Sequence, residues 1–148
     1  MDLRRTIAAH LLGSHRLNAP SFDSRAQTGQ WGDRGAADFL RWKRRFKILY
    51  RNYFTENGDE IDLVCRQGET LVFVEVRSLA SGSKMRPADT VGKSKERRVA
   101  RAANRWLHLL NRDQINVRID LVEVVLETGA LPKVNHIENA IPFESEEL

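Results

Sequence analysis

The sequence has few of the features that define several common classes of protein. It contains a single cysteine among 148 residues, so no internal disulfide can form, and such usage is typical of the reducing cytoplasm. No uncharged apolar run approaches the length that a membrane span requires, and the apolar stretch before Leu17 is short and interrupted by His10. We therefore expect a cytoplasmic protein with no membrane partner.

Net charge is also modest, at +4, but the charges are unevenly distributed. Residues 41–51 hold six bases and no acid, and residues 93–105 hold six bases against one glutamate. Basic clusters of this kind indicate a polyanionic partner such as nucleic acid, while solvated helix faces explain the charge alone equally well. The candidate nucleic-acid contacts are Lys43, Arg44, Arg97, Arg98, Arg101 and Arg105.

Alternation of apolar and polar residues over residues 58–77 predicts two strands joined by a turn at Gln67 and Gly68. The first strand should place three apolar side chains on one face, namely Ile61, Leu63 and Cys65. Its other face should carry Glu60, Asp62 and Val64. The second strand should present Leu71, Phe73, Glu75 and Arg77 on one face and Val72, Val74 and Val76 on the other.

Glu75 is the most informative residue of this hairpin, because apolar residues flank it on both sides and predict that it is buried. A buried carboxylate needs a partner, and a second carboxylate about 5 Å away would repel it by roughly 3 kcal/mol at an effective dielectric constant of 20. If the hairpin brings Asp62 close to Glu75, a cation resolves the conflict. That cation could be a divalent metal ion or a basic side chain.

The spacing of Asp62 and the segment Glu75, Val76 and Arg77 resembles the D...(D/E)-x-K signature of restriction-endonuclease-like nucleases. Over about residues 32 to 143, the sequence is similar to the YraN-type family of predicted endonucleases, relatives of archaeal Holliday-junction resolvases. The segments that carry this second resemblance are residues 51–53, 58–64, 73–77, 91–95, 118–120 and 136–140.

The resemblance implies an α/β fold with a restriction-endonuclease-like mixed sheet, which contains an antiparallel meander and is flanked by helices. It also implies that Mg²⁺ or Mn²⁺ is held by Asp62, Glu75 and the Val76 carbonyl, with Glu60 as a further ligand. Asp33 matches a helical acidic residue that points toward the metal, although its position equally suits a helix N-cap. Asp59 adds a third acid to the same segment.

In the resemblance, Arg77 occupies the position where most of the superfamily has lysine, and it would orient the scissile phosphate. Lys95 is the candidate substitute for that lysine. The implied activity is metal-dependent cleavage of branched or otherwise structured DNA, and symmetric cleavage of a junction would require a homodimer. Two alternatives remain open: a non-catalytic nucleic-acid-binding protein of the same fold, and an interaction protein in which Asp62, Glu75 and Arg77 form a buried ion network.

The rest of the chain is assigned by composition and periodicity. Residues 1–31 are predicted to be a flexible N-terminal arm, residues 32–143 the nuclease-like α/β domain, and residues 144–148 an acidic tail. The first helix should begin at Gly32 and Asp33, and a small-residue loop should cover residues 78–84. We expect a strand at Lys47–Phe54, a long crossover helix with one basic face, and strands at 117–126 and 133–137. Cys65 and His136 are interpreted as structural residues.

Overall fold

The protein is described by a computed structural model over residues 25–110 and 115–144. Its elements in chain order are helix α1 (Arg25–Asp38), a π-helical turn (Phe39–Lys43), strands β1 (Lys47–Phe54), β2 (Glu60–Gln67) and β3 (Thr70–Ala80), a 3-10 turn (Pro87–Thr90), helix α2 (Lys93–Leu110), and strands β4 (Asn116–Leu126) and β5 (Lys133–Ile141). The predicted boundaries of β1 are confirmed. Within the described ranges, no helix combines the length and apolar character that a membrane crossing requires.

The five strands form one mixed sheet in the order β1-β2-β3-β4-β5. Strands β1, β2 and β3 are an antiparallel meander, β4 runs parallel to β3, and β5 is antiparallel to β4. Because neighbouring parallel strands need a long crossover connection, helix α2 joins β3 to β4. The predicted α/β fold, with its antiparallel meander, mixed sheet and flanking helices, is confirmed.

A hydrophobic core lies on each face of the sheet. Helix α1 packs Ala36 and Ala37 against one face, together with Leu40 of the π-helical turn, and α2 packs Val99, Ala102 and Ala103 against the other. The alternation predicted for β3 is confirmed, since its three buried valines face α1 while Leu71 and Phe73 face α2. Glu75 and Arg77 share the parity of Phe73.

Helix α1 is already helical at residue 25, so the prediction that it begins at Gly32 and Asp33 is wrong, and residues 25–31 are not a flexible arm. The first turns of α1 are held by β3. Ser78 donates a hydrogen bond from its hydroxyl to the Thr28 carbonyl at 3.1 Å, and a Cβ at Gly32 would collide with the Ser78 side chain. These long-range contacts have no local sequence signal. Residues 1–24 and 145–148, which include most of the predicted arm and tail, lie outside the described residues.

Strand β3 continues through Ala80, because residues 78–80 pair with β4, so the predicted loop is restricted to residues from Ser81 onward. The hairpin turn between β2 and β3 lies at Gly68 and Glu69, one residue later than predicted. Gly68 adopts a φ of +58°, which favours glycine.

The pairing of β2 with β3 ends at Leu63 and Val74. Ile61, which precedes this point, packs with Val64 in the core beneath α2 instead of with Leu63 and Cys65. The predicted regular alternation of β2 therefore fails at Ile61. The irregularity lies next to Asp62. There the side chain of Asp62, and not a backbone carbonyl of β2, accepts the hydrogen bond from the Val76 amide of β3.

Candidate active site

Four acidic side chains line one cleft of about 850 Å³ at the end of the β2–β3 hairpin. They are Asp33 of α1, Glu60 and Asp62 of β2, and Glu75 of β3. The walls are completed by the first turns of α1 and by the segment that follows Glu75 along β3 and into the next loop. Residues 42 positions apart in the chain are thus brought to a single pocket.

Asp62 and Glu75 form the inner part of the cleft. The Val76 amide donates a hydrogen bond of 2.7 Å to Asp62 Oδ2, which links β2 to β3 beyond their last backbone pair. The Asp62 carboxylate also interacts with Glu75. Burial raises the pKa of Asp62, and the Val76 hydrogen bond opposes that effect. Burial, followed by the charge of Asp62, raises the pKa of Glu75 to about 8. The condition that the sequence left open, closeness of these two carboxylates, is therefore met.

Two cations lie on the same oxygen of Glu75. Lys95 Nζ, from the first turn of α2, is 3.3 Å from Glu75 Oε1, and Arg77 Nη2 is 3.2 Å from it. Lys95 is also 3.2 Å from Glu60 Oε1, and its side chain is 17% exposed. Arg77 stands where the signature has lysine, and the ammonium group of Lys95 reaches the cleft from α2.

Two buried polar atoms of the described residues have no hydrogen-bond partner, and both belong to this cleft. They are Glu75 Oε2, an acceptor, and Arg77 Nε, a donor. Buried polar groups are normally paired, and leaving one unpaired costs about 1–3 kcal/mol. One unpaired acceptor beside one unpaired donor suits a ligand that carries both a cation and an anionic oxygen.

Asp33 lies within α1, and the N-cap interpretation is therefore wrong. Its side chain faces the cleft from the helix. Burial and the charges of Asp62 and Glu60 raise the pKa of Asp33 to about 7, while Arg51 lowers it. Asp33 thus lies where the resemblance expects a helical acidic residue.

The donor set of the cleft suits a hard cation only in part. No three His, Cys, Asp or Glu side chains in residues 25–110 and 115–144 form a group spaced to hold a metal ion. Mg²⁺, however, is commonly bound by one or two carboxylates, with waters and substrate phosphates completing its shell. Asp62, Glu75 and the Val76 carbonyl could supply that smaller set, and the unpaired Glu75 Oε2 fits it.

The basic face of α2 is paired more than predicted. Arg98 and Arg101 donate to the buried carboxylate of Asp59 at 3.2 and 2.9 Å. Arg105 is 3.2 Å from Glu56. Three arginines of the predicted basic face therefore have acidic partners. Asp59 turns toward α2, and hydrogen bonds, first from Arg101, lower the pKa of Asp59. Asp59 is therefore not a fifth acid of the cleft, although the three arginines remain about half exposed.

Arg97 is exposed, and its Nε donates to the backbone carbonyl of Lys93, one turn earlier in α2. Lys43 is also exposed, at the end of the π-helical turn. Arg44 contacts Glu138 and His136, each at 3.1 Å. Of the six predicted nucleic-acid contacts, none lines the acidic cleft.

His136 is buried, and its Nε2 is 2.8 Å from Asp120 Oδ2. The interpretation of His136 as a structural residue is consistent with this contact and with its side-chain exposure of 2%. Asp120 also accepts hydrogen bonds from Arg118 and the Asn139 amide. Burial would raise the pKa of Asp120, but the bonds from these three residues outweigh burial and lower it. This network ties β5 to β4.

Sequence reasoning missed two parts of the cleft. Thr28 and Gly29 line it from α1, and the spacing of four residues from Gly29 to Asp33 would have indicated a shared helix face if the helix had been extended. Met85 and Ser83 line it from the loop after β3. That loop is anchored by Glu123, which accepts hydrogen bonds from Arg86 and from the Ala88 amide at 3.1 and 3.0 Å.

Fold and site together define an α/β protein with a restriction-endonuclease-like sheet and a carboxylate-lined cleft. Residues 32–124 match Uncharacterised protein family UPF0102, and the chain belongs to that family. It is 45% identical over 118 residues to a UPF0102 protein of Anaeromyxobacter dehalogenans, which covers 80% of this chain and 86% of that protein. A UPF0102 protein of Syntrophomonas wolfei is 38% identical over 114 residues, 77% of this chain and 96% of its own length. The predicted family membership is confirmed.

Proposed function

We propose that the protein is a metal-dependent endonuclease that hydrolyses phosphodiester bonds in branched or otherwise structured DNA, with Mg²⁺ or Mn²⁺ as cofactor. The observation that carries this proposal is the pair of unpartnered atoms in the cleft, Glu75 Oε2 and Arg77 Nε. A divalent cation would engage the first and a phosphate oxygen the second.

Asp62, Glu75 and the Val76 carbonyl would hold the cation, with Glu60 and Asp33 at the margin of the same cleft. The chemistry supplied by a bound divalent cation would be Lewis acidity, which lowers the pKa of a water molecule and offsets the charge that develops on the phosphate. The protein's own acids are well suited to this use, because their buried charges repel one another without a cation.

Lys95 and Arg77 would act on the substrate. The Lys95 ammonium, between Glu60 and Glu75, can donate a hydrogen bond that orients the attacking water. Arg77 remains charged at all physiological pH values, so its role is to bind and orient the scissile phosphate rather than to transfer a proton. Its Nε–H is available for that contact. Together these residues would align water, phosphorus and leaving oxygen.

A non-catalytic DNA-binding protein of the same fold is the second candidate. It is favoured by the contact of both Lys95 and Arg77 with one oxygen of Glu75, since two cations already offset part of the acidic charge. On this account the cleft is an ion network, and the half-exposed arginines of α2 hold DNA by its phosphates. Binding would then weaken steeply with added salt, without cleavage.

The test is cleavage of labelled duplex, single-stranded, flap and four-way-junction DNA in Mg²⁺, Mn²⁺ or EDTA. Wild-type protein is expected to cut at least one of these DNAs with metal and none in EDTA, and Glu75→Gln and Asp62→Asn should abolish cutting. Glu69→Gln, which changes an exposed acid in the hairpin turn, is the matched control and should cut normally. DNA binding without cutting under every metal condition would reject the nuclease and favour the second candidate.

A further inference from the structure

Strand β1 exposes an unusual surface for the edge of a sheet. It is the first strand in the sheet order, and its outer edge pairs with no strand of the described residues. Three large apolar residues on it are substantially exposed: Leu49 at 43%, Tyr50 at 50% and Phe54 at 62%. Natural edge strands are usually protected by charge, proline or shortness, whereas exposed apolar groups indicate binding.

The two tyrosine rings of β1 are partly fixed in position by aromatic neighbours. Tyr50 makes edge contacts with Trp106 of α2 at 5.4 Å between ring centroids and with Tyr53 at 6.3 Å. Tyr53 in turn contacts Trp106 at 4.9 Å. A half-exposed ring that is already held by its neighbours loses little freedom when a flat ligand stacks on it.

Basic side chains lie between these rings in sequence and reach the outer edge of β1 from the other face: Arg51 pairs opposite Leu63, which faces α1, whereas Tyr50 pairs opposite Val64, which faces α2. Lys47 and Arg51 are exposed on the same strand, and residues 41–51 contain no acid. Trp42, on the preceding π-helical turn, is 51% exposed beside further bases. Two copies of this surface would bring like charges together, which opposes a homodimer through β1. Rings interleaved with positive charge instead suit an anionic polymer whose flat bases are accessible, as in single-stranded nucleic acid.

This surface runs up to the acidic cleft. Phe54, at the end of β1, pairs directly opposite Glu60 of β2. Glu60 lines the cleft and contacts Lys95 there. Arg51 is close enough to the cleft for its charge to lower the pKa of Asp33. A strand lying along β1 would therefore enter the site.

We infer that β1 binds an unpaired nucleic-acid strand beside the cleft, with Tyr50 and Phe54 stacking on bases and Lys47 and Arg51 contacting phosphates. The inference rests on the proposed nuclease function and narrows its substrate to DNA with a single-stranded segment, such as a flap or a splayed end. A continuous duplex conceals its base faces and can use only the basic side chains of this surface.

The test is fluorescence anisotropy of the full-length protein with a labelled thymidine oligonucleotide and with a blunt duplex, in EDTA and in Ca²⁺. Phe54→Ala should weaken single-strand binding about tenfold and leave duplex binding nearly unchanged. Phe54→Trp should retain single-strand binding, because it keeps a large aromatic ring at this position. Tyr50→Ala should act in the same direction as Phe54→Ala. Leu131→Ala, which removes a 40% exposed apolar residue between β4 and β5, is the matched control and should bind both DNAs normally.

Equal single-strand affinity for wild type, Phe54→Ala and Leu131→Ala would overturn the inference. So would a wild-type dimer in sedimentation that Phe54→Ala converts to a monomer, because β1 would then be a protein contact. The two proposals fail separately. If wild type cuts duplex DNA with metal and Phe54→Ala binds single strands as wild type does, only the proposed role of β1 is rejected. If Phe54→Ala loses single-strand binding but wild type cuts no DNA, the role of β1 is supported and the nuclease activity is rejected.

Discussion

Replacement of Glu75 by glutamine should stabilise the metal-free protein by an amount that grows with pH. The Glu75 side chain is 1% exposed, and burial together with the charge of Asp62 raises its pKa from the ordinary 4.5 to about 8. A carboxyl with a raised pKa in the folded state is favoured there in its protonated form. The contribution of Glu75 to stability is therefore largest below pH 4.5 and falls as pH rises from 4.5 to about 8.

The magnitude follows from the two pKa values. Each pH unit within that window removes about 1.4 kcal/mol from the free energy of unfolding. At pH 7 the solution is 2.5 units above the ordinary pKa of 4.5, which corresponds to about 3 kcal/mol. Glutamine mimics the protonated carboxyl and carries no such dependence, so Glu75→Gln should exceed wild type by up to about 3 kcal/mol at pH 7.

The assay is urea unfolding of wild type and Glu75→Gln in EDTA at a series of pH values from 5 to 8. The contribution of Asp33, whose pKa is also raised, is common to both proteins and cancels in the difference. Glu69→Gln should follow wild type, and added Mg²⁺ should reduce the difference by stabilising wild type alone. Parallel stability curves for wild type and Glu75→Gln would refute the reasoning, because Glu75 would then ionise in the folded protein at no cost.

Two further predictions concern the supports of the fold. Asp120→Asn should lower the free energy of unfolding by about 3 kcal/mol, because Asp120 is fully buried and its loss leaves His136 without its acidic partner and Arg118 with the longer ionic contact of 3.8 Å to Glu138. Urea unfolding at pH 7 measures this change, and a difference below about 1 kcal/mol would contradict it. Glu123→Gln should loosen the segment before α2, residues 86–90, because Glu123 accepts hydrogen bonds from Arg86 and the Ala88 amide. Faster hydrogen exchange of the Ala88 amide is expected, and unchanged exchange would show that other contacts hold the segment.

Much of the fold could be predicted because its signals are local. Apolar alternation along β3 identified both of its faces, and the basic and apolar arcs of residues 93–110 identified a helix that must cross between parallel strands. In each case the pattern that directs the structure lies within a few residues of where it acts. The proximity of Asp62 and Glu75 was raised only as a condition, because the predicted turn lies one residue too early and the observed register of β2 against β3 is what brings the two residues together.

Features that depend on distant contacts could not be predicted. Residues 25–31 have the composition of an arm, with Thr28 and Gly29 weakening helix propensity, yet packing of Gly32 against Ser78 of β3 keeps them helical. Asp59 was read as an extra acid of the site, and only the position of α2 gave it Arg98 and Arg101 as partners. His136 looked isolated because Asp120 lies 16 residues away, on the neighbouring strand.

The sequence by itself determined the sheet, its meander and the crossover helix, because apolar periodicity and chemical type are properties of residues in order. Tertiary structure alone decided which charges meet. In the folded protein Asp33 faces the cleft, and Glu75 contacts both Lys95 and Arg77. Asp59 is paired with arginines of α2 and lies outside the cleft. Electrostatic energy depends on distance and burial, and neither quantity exists for two residues far apart in sequence until the chain has folded.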